Sequence, residues 1–150
     1  MKDLFDKRVS EETIERIDAL TANTQPKWGK MNVAQMLAHC NVTYELAYEN
    51  KVPKPMGIKK WMLKTFIKSF VVGTKPYPKN GRTAPDFLVT TEKDFEQEKD
   101  RLKKYILKTH ELGGDYFQDR ESHSFGKLTK TEWNNMFYKH LDHHLQQFGV

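Results

Sequence analysis

Apolar residues recur at helical spacing along most of the chain, and they are most regular near its end. Over residues 127–150, Trp133, Met136, Phe137, His140, His144 and Phe148 fall on one stripe. Tyr138, Lys139, Asp142 and Gln146 take the opposite side. Thr129 with Glu132 three residues on is a capping-box signature, and Gly149 is a stop. At about 100° per residue, His140 and His144 lie about 40° apart. Two imidazoles therefore occupy a buried stripe where a core would prefer leucine.

The same pattern predicts the other helices. Val9, Ile14, Ile17 and Leu20 mark a first helix starting near Ser10. Asn32 with Gln35 caps a second, running to about Glu49. Its Met36, Val42, Thr43 and Leu46 share a side with His39, while Leu37, Cys40, Tyr44 and Tyr48 lie opposite, leaving only a strip around Asn41 and Glu45 for solvent. A helix apolar on two sides is buried by two neighbours, so this one should be central. Lys51, Pro53 and Pro55 break the pattern. Residues 57–72 then form a helix with Lys60, Lys64 and Lys68 on one side and Ile58, Met62, Phe66 and Phe70 on the other. Residues 73–85, with Pro76, Pro78, Pro85 and an Asn80-Gly81 turn, predict an extended strap anchored by Tyr77 and Phe87. Thr91 with Asp94 opens a helix carrying Phe95, Leu102, Tyr105 and Ile106, which Gly113-Gly114 ends; residues 116–126 are expected as a loop. No alternating strand of useful length is visible. The expected class is all-α, a single domain over 1–150, with four principal helices and one more in a long crossover.

Composition narrows the picture. The 150 residues include nine Phe and three Trp, enough for one self-sufficient core. No run of about 18 apolar residues predicts a membrane span, and the charged N-terminus is unlike a signal peptide. One cysteine, Cys40, excludes an intrachain disulfide, which suits a reducing cytoplasm. The net charge of +5 is spread over many lysines, so a nucleic-acid partner is not expected. The Lys60/Lys64/Lys68 stripe reads as a solvated face, with an anionic surface as the alternative.

The chemistry sits with the histidines. His39, His140 and His144 can offer three neutral imidazoles to one divalent ion from two helices, leaving positions open for water or substrate. Gln147 and Gln35, each one turn from a proposed ligand, are placed to orient an imidazole or a bound water. Leu141 stands where a zinc protease motif has its glutamate. His143 projects to one side, and His110 and His123 sit near loops. There is no glycine-rich phosphate loop, no G-x-S-x-G and no Cys-x-x-Cys.

W-G-K-M-N-x-x-Q-M-L-A-H at 28–39 and H-x-x-x-H-x-x-Q at 140–147 resemble the DinB-like superfamily, which includes YfiT-type metalloproteins. K-P-Y-P-K-N-x-x-T-A-P-D-F, F-G-K-L-T-x-x-E-W and Y-K-H-L-D-H-H-L-x-Q-F-G resemble an uncharacterised branch of it. The resemblance implies a four-helix bundle with a long crossover, often a homodimer. It implies a zinc or nickel ion on three histidines, matching His39, His140 and His144, with Gln147 at the glutamine. It also implies thiol-dependent transferase, isomerase or hydrolase chemistry. The branch often has His-Pro-x-Phe-Gly where this chain has Ser122-His123-Ser124-Phe125-Gly126, so His123 is given no role. The leading expectation is a metal-dependent hydrolase or thiol transferase acting on a small molecule or low-molecular-weight thiol. The alternative is a non-enzymatic metal-binding or structural, stress-associated bundle.

Overall fold

A computed structural model describes residues 1–49 and 52–150. It is mostly helical, with one small hairpin. The expected break at Lys51 falls at its first position outside the described residues. Helix α1 spans Lys7–Asp18. It starts a turn earlier than expected because Asp6, not Ser10, caps it: the Asp6 carboxylate accepts from the Val9 amide at 3.2 Å. Ser10 is instead buried.

Helix α2 spans Val33–Tyr48 and carries the expected reciprocal cap. Asn32 accepts from the Gln35 amide at 2.8 Å, and Gln35 Oε1 accepts from the Asn32 amide at 3.1 Å. Met36, Leu37, Cys40 and Tyr44 are all buried, because helices α5 (Phe95–Phe117) and α6 (Lys130–Gln147) pack on α2 from different sides. The expected solvent strip is absent. Asn41 is fully buried and donates to the carbonyl and the carboxylate of Glu98 at 3.0 and 2.8 Å. Glu45 pairs with Arg101. A polar strip on α2 meets a polar strip on α5, so polarity here marks a partner and not solvent.

The crossover begins with α3 (Gly57–Met62), a π-helical stretch (Leu63–Ile67) and α4 (Lys68–Val72). Its orientation reverses a simple amphipathic reading. Lys60 and Lys68 face the body, paired with Glu121 at 3.2 Å and Glu132 at 2.8 Å. Ile58, Met62, Phe66 and Phe70 face solvent. The π-helical stretch explains how a strict i, i+4 stripe stays on one side. At 3.6 residues per turn such a stripe drifts by about 40° per step, and a looser i→i+5 turn takes part of the drift back.

The strap follows, turning at Asn80, whose φ is 57°, with Gly81 donating to the Pro78 carbonyl at 3.3 Å. Both expected anchors hold it: Tyr77 donates to the Val71 carbonyl at 3.3 Å and packs on Phe70, and Phe87 ends a short 3₁₀ turn, Pro85–Phe87, against His39. Asp94, not Thr91, caps α5. The helical backbone path breaks at Gly113 (φ 70°, ψ 166°), as the glycine pair suggests, but one more turn brings Phe117 into the core.

Residues expected as a loop contain an antiparallel hairpin, β1 (Arg120–Ser122) and β2 (Gly126–Leu128), in the register Arg120↔Leu128 and Ser122↔Gly126. Ser122 closes it by donating to the Gly126 carbonyl at 2.8 Å and accepting from the Phe125 amide at 3.0 Å. Strands of three residues are too short for a period of two to show.

Helix α6 opens on the expected Thr129–Glu132 box and stops before Gly149, whose φ is 85°. An aromatic stack fixes it to α2 and α5. Phe137 lies 5.0 Å from Tyr44 with parallel rings, and Phe117 lies 5.3 Å from Trp133. Burying each such ring stabilises by about 1.5–3 kcal/mol. The stack sets α6 against α2 one turn before His140, which is why His39 meets the histidines of α6.

Candidate metal centre

His39 on α2 and His140 and His144 on α6 converge, each able to offer a nitrogen within 4.8 Å of the others. Their ring centroids are 4.6–4.8 Å apart. His39 and His144 are buried, whereas His140 keeps part of its surface while hemmed in by the neighbouring rings.

Each ring has one nitrogen engaged by an oxygen. His39 Nδ1 lies 2.8 Å from the Phe87 carbonyl, which can only accept, so Nδ1 carries the hydrogen. His144 Nδ1 lies 2.8 Å from Gln147 Oε1. The orientation of that amide is set from its other end, where Gln147 Nε2 donates to the Trp28 carbonyl at 2.6 Å. Nδ1 of His144 is therefore a donor too. His140 Nδ1 lies 2.9 Å from the Thr43 hydroxyl, which can give or take a proton. The Nε2 atoms of His39 and His144 thus carry lone pairs. His140 Nε2 lies 2.8 Å from His39 Nε2 and can donate to it as one tautomer or present a third lone pair as the other.

Burial keeps the group neutral. Desolvation lowers the pKa of all three rings. At His140 it is held well below the usual value, where His39, His144 and His143 add repulsion to the burial; at His144 it falls to about 3, with His39 adding to the burial. At His39 burial outweighs the Phe87 carbonyl, which acts the other way. Neutral imidazoles are the form that ligates a metal.

The donor set fits one divalent ion. Nitrogens about 2.0–2.1 Å from a tetrahedral centre stand roughly 3.3–3.4 Å from each other. That spacing lies between the His39–His140 contact of 2.8 Å and the 4.8 Å bound.

Of the two glutamines, Gln147 contacts a histidine. Gln35 does not: its bonds run to Asn32 and to the Thr91 carbonyl at 3.4 Å. The capping box holds its oxygen at the helix start, and the Phe87 carbonyl takes the place at His39. Three partners had no assigned role in the sequence reading: the carbonyls of Phe87 and Trp28, and Thr43, whose position on the His39 side of α2 was its only signal. Trp133 is buried as expected, but its ring contacts are with Phe117 and Phe137, two turns from His140.

The remaining histidines stay outside the cluster. His143 is half-buried between Trp28 and Tyr77 and makes no hydrogen bond among the described residues. His110 ties α5 to the Phe5 carbonyl, and His123 contacts Ser124 and the Val52 carbonyl beside the hairpin. Cys40 is buried against Met36, and burial pushes its thiol well up. No carboxylate joins the group among the described residues. Asp142 pairs with Arg16 at 2.9 Å and accepts from Gln146.

Among the described residues no helix is long and apolar enough to cross a membrane. No curated protein and no solved structure matches the chain. A family model does match residues 5–149, nearly the whole length, and the chain therefore belongs to the family described as protein of unknown function DUF1569.

Proposed function

We propose that His39, His140 and His144 hold one divalent cation, zinc or nickel, and that the protein is a metal-dependent enzyme acting on a small molecule or low-molecular-weight thiol. The observation that carries this reading is the hydrogen bonding of the three rings. Each Nδ1 meets an oxygen from a different part of the chain, Nε2 of His39 faces Nε2 of His140, and His144 offers a nitrogen within 4.8 Å of them. In an ordinary core, imidazoles so placed would cost about 1–3 kcal/mol for each buried nitrogen left unpaired. The similarity to the DinB-like superfamily supports the same ligands and a four-helix bundle, with a homodimer as the implied assembly.

When bound on three protein nitrogens, such an ion supplies a Lewis acid that lowers the pKa of a water or thiol in its open position. The chain's own part is to hold the rings. The Phe87 carbonyl, Thr43 hydroxyl and Gln147 amide fix their orientation, and burial keeps them unprotonated. Hydrolysis also asks for a base to take a proton from water, and no carboxylate lies in the group among the described residues. A thiol starts far more acidic than water and, if bound there, would release its proton to solvent with less need of such a base, so thiol transfer is favoured over hydrolysis.

The second reading is a non-enzymatic metal-binding bundle. The burial of His39 and His144 and the cover of Phe87 and Tyr77 favour it. Protein purified without an affinity tag, loaded with zinc or nickel and assayed against thiol acceptors and esters, separates the two. Metal-dependent turnover lost in His140→Ala supports the enzyme. Stoichiometric metal without turnover supports the second reading.

A further inference from the structure

The crossover carries the chain's most unusual surface. Between Glu49 and Asp86 there are eight lysines, one arginine and no acidic residue, while the whole chain has a net charge of only +5. The rest of the molecule is therefore net acidic. Within this basic segment, α3, the π-helical stretch and α4 turn their large side chains outward. Ile58 is 77% exposed, Trp61 60%, Phe66 63% and Phe70 50%. Ordinary exposed apolar residues are scattered. These lie together along one continuous helical segment, and Ile58, Met62 and Phe66 line one shallow groove.

The orientation is fixed from behind. Lys60 and Lys68 bind Glu121 and Glu132 on the body, and Lys139 of α6 donates to the carbonyls of Phe70 and Gly73 at 2.8 and 2.6 Å. Three charged contacts hold the apolar side away from the core. Lys54, Lys59 and Lys75 remain exposed around it.

We infer that residues 54–75 form a docking surface for an anionic lipid bilayer. Trp61, Phe66, Ile58 and Phe70 would enter the boundary between headgroups and acyl chains, and the surrounding lysines would meet the headgroup charge. A helix lying in the interface needs this combination: bulky apolar and aromatic side chains on one side with lysines at its margins. The charge identifies the occupant. A second copy placed symmetrically on this face would set two acid-free basic segments against each other, whereas each exposed lysine is attracted by an anionic membrane.

The test is co-sedimentation of the full chain with vesicles of phosphatidylcholine alone or with added phosphatidylserine. The expected result is binding that requires phosphatidylserine, weakens with added salt and falls about tenfold or more in Phe66→Ser/Ile58→Ser. Trp61 emission should shift to the blue on binding. Because Phe66 and Ile58 are exposed, the variant should keep the wild-type helical spectrum and thermal midpoint; Leu107→Ser, on the exposed side of α5, should bind as wild type. No binding to phosphatidylserine vesicles at low salt overturns the proposal, as does equal binding to phosphatidylcholine alone. A dimer in sedimentation velocity that Phe66→Ser/Ile58→Ser dissociates also overturns it, giving the face to a second copy.

Discussion

His39 Nε2 and His140 Nε2 stand 2.8 Å apart, although their residues are 101 positions apart in the chain. Neither could be brought there by its own helix alone. The contact depends on α2 and α6 being locked by Tyr44 against Phe137, and on Phe87 and Thr43 holding the far nitrogens.

Gln147 and Gln35 should behave differently. Gln147→Leu removes the acceptor from His144 Nδ1 and the donor to the Trp28 carbonyl. Metal affinity should fall about 10–100-fold, the usual effect of losing such a partner. Gln35→Ala should leave affinity unchanged and lower stability by about 0.5–1 kcal/mol through the α2 cap. Isothermal titration with zinc and urea denaturation of both variants check this; equal losses of affinity would place Gln35 at the site after all.

The contrast shows how much of the site the sequence reveals. The caps of α2 and α6 and the spacing of His140 and His144 are local, so they are readable one helix at a time. Phe87 is different, because a backbone carbonyl carries no residue-type signal and its position depends on where the strap crosses α2. The direction of the 57–72 helix was hidden for a related reason. Periodicity separates two faces but does not say which is inside, and the ion pairs of Lys60 and Lys68 reversed the usual answer. Asn41 looked solvated because its partner, Glu98, lies on another helix.

Trp133 tests the packing that positions α6. Its ring is buried between Phe117 and Phe137, and its Nε1 has no hydrogen-bond partner among the described residues. Trp133→Ala should cost about 3–5 kcal/mol. Trp133→Phe should cost much less, since it keeps a ring and removes an unpaired N–H whose burial itself costs about 1–3 kcal/mol. Urea midpoints of the two variants give the comparison, and equal costs would show that the indole nitrogen is satisfied.

Acid should destabilise the metal-free protein in a defined window. Burial pushes His144 down to about 3 in the fold, against about 6.5 for an ordinary histidine, and lowers His39 and His140 as well. Between those values the unfolded chain binds more protons than the folded one, so stability rises with pH there and is lost as pH falls below about 6.5. Chelator-treated protein should have a lower urea midpoint at pH 5 than at pH 7.5. His140→Ala/His144→Ala should show a shallower dependence. An unchanged slope in that variant would assign the acid sensitivity to other groups.

The central claim is that one divalent ion sits on His39, His140 and His144. Its most direct test is metal analysis of tag-free protein after incubation with zinc and removal of excess, compared with the three single alanine variants and His143→Ala. One equivalent is expected in the wild type and in His143→Ala, and strong loss in His39→Ala, His140→Ala and His144→Ala, all with helical spectra retained. Wild-type protein that takes up no zinc or nickel, or holds it equally well in His140→Ala, would contradict it.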